Sequence, residues 1–398
     1  MTTVVHINSN DMNSSDNAIK HLPLNASSLE ALLLTWNAEY PHAGVLALLP
    51  ERENDNLHIL QACCRNQDIP LAGAIFPALL IGNEFHQEGV LLFRFDQWVP
   101  SFLIPEINDG QSPAEEKIAQ VIIPAIEATT PDAAKQALYL IFDGLLPNIA
   151  SILEGLYLQL SDRVSYAGVN AGSETFQPMP CLFDTDRVVG GGALCLLVPG
   201  QNVTVLEHGY TAPKHVMNAT STDGNQIISI DWRPAFEVYQ KIIKQEYGIA
   251  LTQENFYHYA VHFPFGIPRA NEDVVVRIPV VLNEDGSLFC VGEVPENAML
   301  VLLRAPEADE GRCISRLAAS LQANNGSLQG RSILTFYCAG RRMHLGESSL
   351  QELTNLQQET GAAYLAGALS LGEIGSTGES DYPMFHNATL VCTPWGTT

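Results

Sequence analysis

One short arrangement occurs three times along the chain, and it constrains the fold more than any other feature. An apolar strand is followed by a helix-sized interval, a second strand that runs into small residues, and a return strand. The three copies begin with "GVLALLP" (44–50), "ALYLIFDG" (137–144) and "SILTFYCAG" (332–340). Because a helix-length crossover joins the first two strands of each copy, we expect these strands to pair in parallel.

These units predict an α/β (α+β) fold, in which repeated strand-helix-strand-strand units form stacked mixed sheets with helices outside. The stretch 274–305 is interpreted as a fourth, degenerate copy, with a hairpin turn at "NEDG" (283–286). Residues 1–27 are rich in Asn, Ser and Asp and are predicted to form a loose arm. A proline at the start of a later helix favours a boundary that divides the rest into 28–233 and 234–398.

The composition excludes some classes of function. The chain has 44 acidic and 20 basic residues among 398, a formal charge of −24, which repels nucleic acid and anionic lipid. No apolar stretch reaches the ~20 residues that cross a bilayer, and the polar start has no signal-peptide pattern. The eight cysteines include no C-x-x-C pair, and several lie in apolar runs such as "GALCLLV". We therefore expect a cytoplasmic protein with reduced cysteines and no membrane insertion.

Near the C-terminus, the stretch 367–392 combines glycine-rich turns with polar side chains before an apolar run. Gly372 precedes Glu373, and glycine allows a ligand to approach the backbone closely. His386 and Asn387 stand before the last strand. The residues fit two interpretations, a ligand site or a long hairpin loop in which Asn387 bonds the backbone.

Motifs for catalysis do not occur in the sequence. It contains no G-x-S-x-G, no Walker A, no H-E-x-x-H and no G-x-G-x-x-G. Adjacent carboxylates occur in the polar stretches "ANEDV" and "EADEGR", which are typical of solvated loops. We therefore expect that the protein is not an enzyme.

Several segments resemble, in the same order, those of the FIST (F-box and intracellular signal transduction) domain family. The C-terminal "GEIG" and "FHNATLV" resemble the end of the family's second domain. Further segments that match are "AGVNAGSETF", "HGYTAP", "IDWRPAFEVY", "FPFGIP" and "FYCAGRRMHLG". The matches run from about residue 40 to residue 392, so the resemblance assigns 28–233 to a FIST N-terminal half and 234–398 to a C-terminal half. Ser173 and Phe265 depart from the usual pattern.

The resemblance implies a sensor of bacterial signal transduction that binds a small ligand. Stand-alone members of the family work beside a histidine kinase or a cyclic-di-GMP enzyme, either a diguanylate cyclase or a phosphodiesterase. One branch consists of haem-binding nitric oxide sensors, and this chain resembles that branch in having no kinase or GGDEF region. The sequence leaves open whether the chain forms a homodimer.

A haem b group would need one neutral imidazole as the ligand of its iron and cations for its propionates. His208, at the junction of the two halves, is the first candidate for the haem iron, and His386 is the second. His262 shares a face with His258 and is a third cofactor-binding candidate. Arg341 belongs to a cationic segment that would suit the propionates. Nitric oxide would then bind the ferrous iron and weaken its bond to the histidine.

The alternative is a haem-free sensor of an amino acid or a similar metabolite. Arg341 would then hold a carboxylate and Glu373 an ammonium group. Gly172, Gly372 and Asn387 would line the pocket in this case. A structural scaffold without a ligand is a further alternative.

Overall fold

The computed structural model describes residues 18–128, 135–200, 202–210, 216–269, 274–306, 312–375 and 382–396. Most of the predicted arm, residues 1–17, therefore lies outside the described residues. The described helices are α1 (Ala26–Glu39), α2 (Leu57–Asn66), α3 (Ala114–Glu127), α4 (Ile149–Leu160), α5 (Ala235–Tyr247), α6 (Phe256–Ala260), α7 (Cys313–Asn325), α8 (Ala339–Leu345) and α9 (Ser348–Thr360), with short 3₁₀ helices at Glu51–Asn56 and Ser161–Arg163.

The described strands fall into four sheets. In chain order they are β1 (Ile19–Leu22), β2 (Gly44–Pro50), β3 (Leu71–Phe76), β4 (Leu79–Ile81), β5 (Glu84–His86), β6 (Val90–Phe95), β7 (Ser101–Ile104), β8 (Gln136–Asp143), β9 (Val164–Ala171), β10 (Leu182–Asp184), β11 (Val188–Val189), β12 (Ala193–Pro199), β13 (Val205–Glu207), β14 (Met217–Asp223), β15 (Gln226–Ile230), β16 (Arg233–Pro234), β17 (Phe265–Pro268), β18 (Val274–Arg277), β19 (Pro279–Leu282), β20 (Leu288–Cys290), β21 (Met299–Leu302), β22 (Ser332–Cys338), β23 (Tyr364–Ser370), β24 (Glu373–Gly375), β25 (Met384–His386) and β26 (Leu390–Trp395).

Three six-stranded sheets share one order of strands, and this confirms the predicted repeat. The orders are β1-β6-β2-β3-β10-β11, β7-β12-β8-β9-β24-β25 and β13-β26-β22-β23-β4-β5. Each sheet has a parallel pair at its centre, namely β2 with β3, β8 with β9, and β22 with β23. A return strand pairs antiparallel with the first strand of each pair. Each unit is thus a strand-helix-strand-strand element of mixed pairing.

The hairpin that follows each second strand joins the sheet of a different unit. The β4–β5 hairpin of the first unit pairs with β23 of the third, and the β10–β11 hairpin of the second pairs with β3 of the first. The β24–β25 hairpin of the third pairs with β9 of the second. The exchange is therefore cyclic, and it brings strands from the two ends of the chain into the same sheets.

The three sheets meet in a shared aromatic core. Each contributes one ring, because the centroids of Phe76 on β3 and Tyr139 on β8 lie 5.5 and 6.4 Å from that of Phe336 on β22. All three rings are buried. The first strands β2, β8 and β22 are buried on both faces along almost their whole length, which explains why they are continuous apolar runs.

The stretch that was interpreted as a fourth copy belongs to an eight-stranded sheet of a different kind. Its strands β14 to β21 pair antiparallel throughout, without the parallel pair that defines the unit. That interpretation is therefore wrong. The predicted hairpin turn is confirmed, because Gly286 has a φ of +82° and the Asn283 N–H donates to the Ser287 carbonyl.

All eight cysteines are buried and free. Among the helices that the structure describes, none combines the length and the apolar character that crossing a bilayer demands.

A glycine occupies the same place in each second strand, three residues before its end: Gly73, Gly168 and Gly367. A Cβ atom there would lie 2.3, 2.0 and 1.8 Å, respectively, from a carbonyl oxygen of the first strand. Each glycine is also paired in register with a residue of the exchanged hairpin. In each case an alanine precedes the glycine. This repeated Ala-Gly step allows the first strand, the second strand and the exchanged hairpin to lie close together.

We predict that Gly367→Ala destabilises the fold, because the new methyl group would meet the Thr335 carbonyl and push β22 and β23 apart. Overpacking of this kind lowers the free energy of unfolding by about 2 kcal/mol or more. Urea unfolding followed by circular dichroism measures the change. Gly190→Ala is the control, since its nearest contact would be an ordinary 3.4 Å. Equal midpoints for the two variants would contradict the prediction.

Candidate functional site

The exits of the second strands β9 and β23 meet the hairpin β24–β25 at the junction of the two halves of the chain. The Asn170 N–H donates to the Gly372 carbonyl at 2.8 Å, and the Leu371 N–H donates to the Asn170 carbonyl at 3.0 Å. A Cβ atom on Gly372 would lie 2.4 Å from the Phe385 ring. The missing side chain at Gly372 therefore lets these segments come together. Gly172, with a φ of +127°, bonds the Ile75 carbonyl beside them.

Glu373 is a fully buried carboxyl group at this junction. The hydroxyls of Ser370 and Thr389 donate to it at 2.5 and 2.6 Å. Burial raises the pKa of Glu373 to about 7, although the two hydroxyl bonds act in the opposite direction. Near neutral pH the group can therefore hold or release a proton.

His386 lies directly opposite Glu373 in the strand register and is 1% exposed. Neither nitrogen of its ring has a hydrogen-bond partner among the described residues. Burial, and next the electrostatic influence of His208 and Arg277, keep the pKa of His386 well below its ordinary value, so the ring is neutral. The side-chain amide of Asn170, fully buried, also lacks partners in the described part of the chain. Leaving such a group unsatisfied costs about 1–3 kcal/mol.

His208 directly follows β13 and lies beside these buried side chains, because its ring centroid is 6.5 Å from that of His386. Its Nδ1 accepts the Tyr210 N–H at 2.9 Å, so the neutral ring carries its proton on Nε2. A histidine that binds a metal through Nε2 carries the proton on Nδ1 instead. Ligation of iron through Nε2 would therefore break the contact with Tyr210.

Arg341 is buried in a network that holds α8 in place. Its Nε and one terminal nitrogen donate to the Glu352 carboxylate at 2.9 and 2.6 Å. The other terminal nitrogen donates to the carbonyls of His208 and Ala388. Four of its five N–H donors are thus engaged, and a ligand carboxylate would have to displace Glu352. The structure places Arg341 beside the junction, with its guanidinium committed to the fold.

His262 belongs to a different set of contacts, between the end of α6 and α8. Its Nδ1 lies 2.5 Å from Nδ1 of His344, whose Nε2 lies 3.1 Å from the Pro306 carbonyl. Because a carbonyl only accepts, His344 carries its proton on Nε2, and His262 is the donor between the two rings. The ring of His258 lies 5.9 Å from that of His262. In the described residues, no three His, Cys, Asp or Glu side chains form a group suited to a metal ion.

A narrow cavity of about 30 Å³ opens next to the buried polar side chains of the junction, which are those of Asn170, Glu373 and His386. Both halves of the chain line it, with Glu174 and Phe176 on one side and residues of α6, β19 and α8 on the other. At its mouth the Tyr257 hydroxyl lies 3.7 Å from the Met343 sulfur. Asn387 and Cys338 also line the cavity, and the Asn387 amide donates to the His386 carbonyl. Asn387 thus lies between the cavity and the buried polar side chains of the junction.

The residues do not fit a haem in the described arrangement. The cavity of about 30 Å³ is far smaller than the clefts of roughly 300–1,000 Å³ that hold drug-sized ligands and cofactors. His208 has its Nδ1 occupied, and both ring nitrogens of His386 are buried.

The comparisons with known proteins agree with the sequence pattern. A model of the FIST N domain matches residues 30–233, and a model of the FIST C domain matches residues 235–376. The two matches cover most of the chain, which therefore belongs to the FIST domain family. FIST domains are sensor domains of signal transduction that bind small ligands, rather than catalytic domains, and they are usually linked to signalling proteins. No curated protein matches the chain.

Some residues at the junction were not singled out from the sequence. Asn170, Ser370 and Thr389 are polar residues at buried positions in or beside otherwise apolar strands. A polar side chain in an apolar strand such as "YAGVNA" is a usable signal, because a core position has to satisfy its hydrogen bonds. Glu352, the partner of Arg341, gave no such signal, since it lies on a helix among other polar residues.

We predict that Glu373→Gln changes how stability depends on pH. The unfolded chain loses this proton near pH 4.5, whereas the folded protein keeps it to about pH 7. The stabilising contribution of Glu373 is therefore fully present below pH 4.5 and is lost as pH rises through 7, by about 3 kcal/mol in total.

Urea unfolding from about pH 5 to about pH 8 measures this dependence. The wild-type protein should lose this part of its stability over the range, and Glu373→Gln should not. The lowered pKa of His386 acts in the opposite sense, because it removes stability as pH falls below 6.5. Both proteins contain His386, so its contribution cancels when their curves are compared. Parallel curves for the two proteins would contradict the assignment.

Proposed function

We propose that this FIST protein is a haem-free sensor in the bacterial cytoplasm, and that its ligand is an amino acid or a similar small metabolite. The observation that carries the proposal is the cavity that both halves line, next to the unpartnered side chains of Asn170 and His386. Unsatisfied polar groups persist in a folded protein where they serve a function. The eight free cysteines agree with a reducing compartment.

The lining of the cavity indicates the chemistry of the ligand. Its walls are largely apolar, with Val261, Val280 and Leu371 among them, and Asn387 offers one amide at the inner end. A ligand with a small apolar body and one polar end suits such a site. Cys338 lines the cavity, and its side chain forms a hydrogen bond with the carboxyl group of Glu373. A ligand with a cationic end would favour the ionised carboxylate and would therefore lower the pKa of Glu373.

Entry of this ligand requires the cavity to widen, and α8 is the element that would move. It has seven residues, and its Met343 closes the mouth through a weak contact to sulfur. Methionine side chains adapt easily to new neighbours. Arg341 on α8 donates hydrogen bonds to the carbonyls of His208 and Ala388. A shift of α8 would therefore move these two residues and the surface at the junction. A histidine kinase, a diguanylate cyclase or a phosphodiesterase would be the partner that recognises the change.

A thermal-shift screen with the standard L-amino acids tests the proposal. The wild-type protein is compared with Val280→Phe, which fills the cavity, and with Val203→Phe, a matched change at an exposed position. We expect at least one amino acid to raise the melting temperature of the wild type and of Val203→Phe by a few degrees, and to leave Val280→Phe unchanged. Equal shifts in all three proteins, or no shift with any amino acid, would refute the proposal.

The second candidate is a haem-based sensor of nitric oxide. The observation that favours it is His386, whose neutral and unpartnered imidazole is the form that binds iron. The described cavity argues against it, because a haem would require a large rearrangement of both halves.

We predict that the protein purified from haem-supplied cells is colourless and shows no Soret band. Addition of haemin, reduction and nitric oxide should leave its absorption spectrum without a saturable change. A stoichiometric Soret band would overturn this prediction. Its loss in His386→Ala or in His208→Ala, with unchanged circular dichroism, would then identify the ligand of the iron.

A further inference from the structure

A second, open pocket of about 470 Å³ lies where the first and third units meet. Arg52, which follows β2, and Arg342, on α8, both line it, together with Phe85 and His86 of the β4–β5 hairpin and its exit. The pocket is thus formed at the ends of first strands of two units and by an exchanged hairpin. In α/β sheets, ligands bind outside the carboxyl ends of the parallel strands, which is where this pocket lies.

The two arginines are not neutralised by the fold. Neither Arg52 nor Arg342 forms an ion pair with any residue that the structure describes. The Arg342 guanidinium lies 5.0 Å from the centre of the Phe85 ring, so a cation–π contact positions it. In a chain with 44 acidic and 20 basic residues, two such charges in one concavity form a local positive site.

Two of the carboxylates near the pocket, those of Glu53 and Glu84, have partners of their own. Glu53 accepts hydrogen bonds from the Gly89 N–H and from the Asn56 amide. Glu84 lies 3.7 Å from His86. Glu88 lines the pocket itself and is exposed, so it can turn toward solvent. The guanidinium groups therefore stay available to a bound anion.

We propose that this pocket binds a small organic anion, with a carboxylate or phosphate group held between Arg52 and Arg342. Guanidinium groups bind both anions with charge-assisted, often bidentate hydrogen bonds. The volume of about 470 Å³ suits a metabolite rather than a bare inorganic ion. The site is distinct from the cavity at Asn387, and it does not depend on the function proposed for that cavity.

Isothermal titration calorimetry with pyrophosphate and with citrate, at constant ionic strength and without divalent cations, tests the proposal. We expect saturable binding of at least one probe to the wild-type protein. Arg52→Gln and Arg342→Gln should each weaken it about tenfold or more, because each removes a charge-assisted contact. The probe that binds more tightly distinguishes a phosphate from a carboxylate ligand.

Arg65→Gln is the matched control, since it removes one positive charge from an exposed arginine that pairs with Asp186 outside the pocket. It should bind the probes as the wild type does. Binding that weakens equally in all three variants would show a nonspecific charge effect and overturn the proposal. Absence of saturable binding of both probes to the folded wild type would also overturn it. Circular dichroism and the melting temperature verify that each variant is folded.

Discussion

The pairing of each second strand with a hairpin from another unit is the constraint on which the rest of the structure depends. A unit alone would leave the outer edge of its second strand exposed, and such an edge invites aggregation. The hairpins close all three edges in a cycle. Because β4 and β5 join the last sheet and β24 and β25 join the second, neither half of the chain can complete its sheets without the other. The candidate site lies where these exchanged segments cross.

This crossing also explains why polar groups are buried there. The exits of the second strands have to turn sharply inside the protein, and their backbone and side chains need hydrogen bonds away from water. Glu373 obtains them from Ser370 and Thr389. His386 and Asn170 do not obtain them from the described residues, so the junction carries a cost that packing elsewhere offsets.

The sequence predicted the units, because apolar runs and small residues mark strands and their exits. It did not predict where each hairpin pairs, since the pattern of a strand carries no label for its partner, and one antiparallel sheet was therefore mistaken for a fourth unit. The Ala-Gly step shared by Gly73, Gly168 and Gly367 was an available signal. Within the site, Glu373 and Asn387 were predicted to line a ligand pocket, and His386 was a separate candidate for the haem iron. The ion pair between Arg341 and Glu352 was not predicted, because burial of an arginine on a helix rich in polar residues depends on tertiary packing.

Helix α8 connects these features, because its residues border both pockets. Ala339, Gly340 and Met343 line the cavity that ends at Asn387, whereas Arg342 lines the open pocket with Arg52. Arg341, between them, fixes the helix to the junction. If the ligands proposed for the two pockets each favour a particular position of α8, each would change the affinity of the other pocket, and by the same factor in both directions. A helix of seven residues is short enough to move as one body, and such a movement is how the two proposed binding events would be linked.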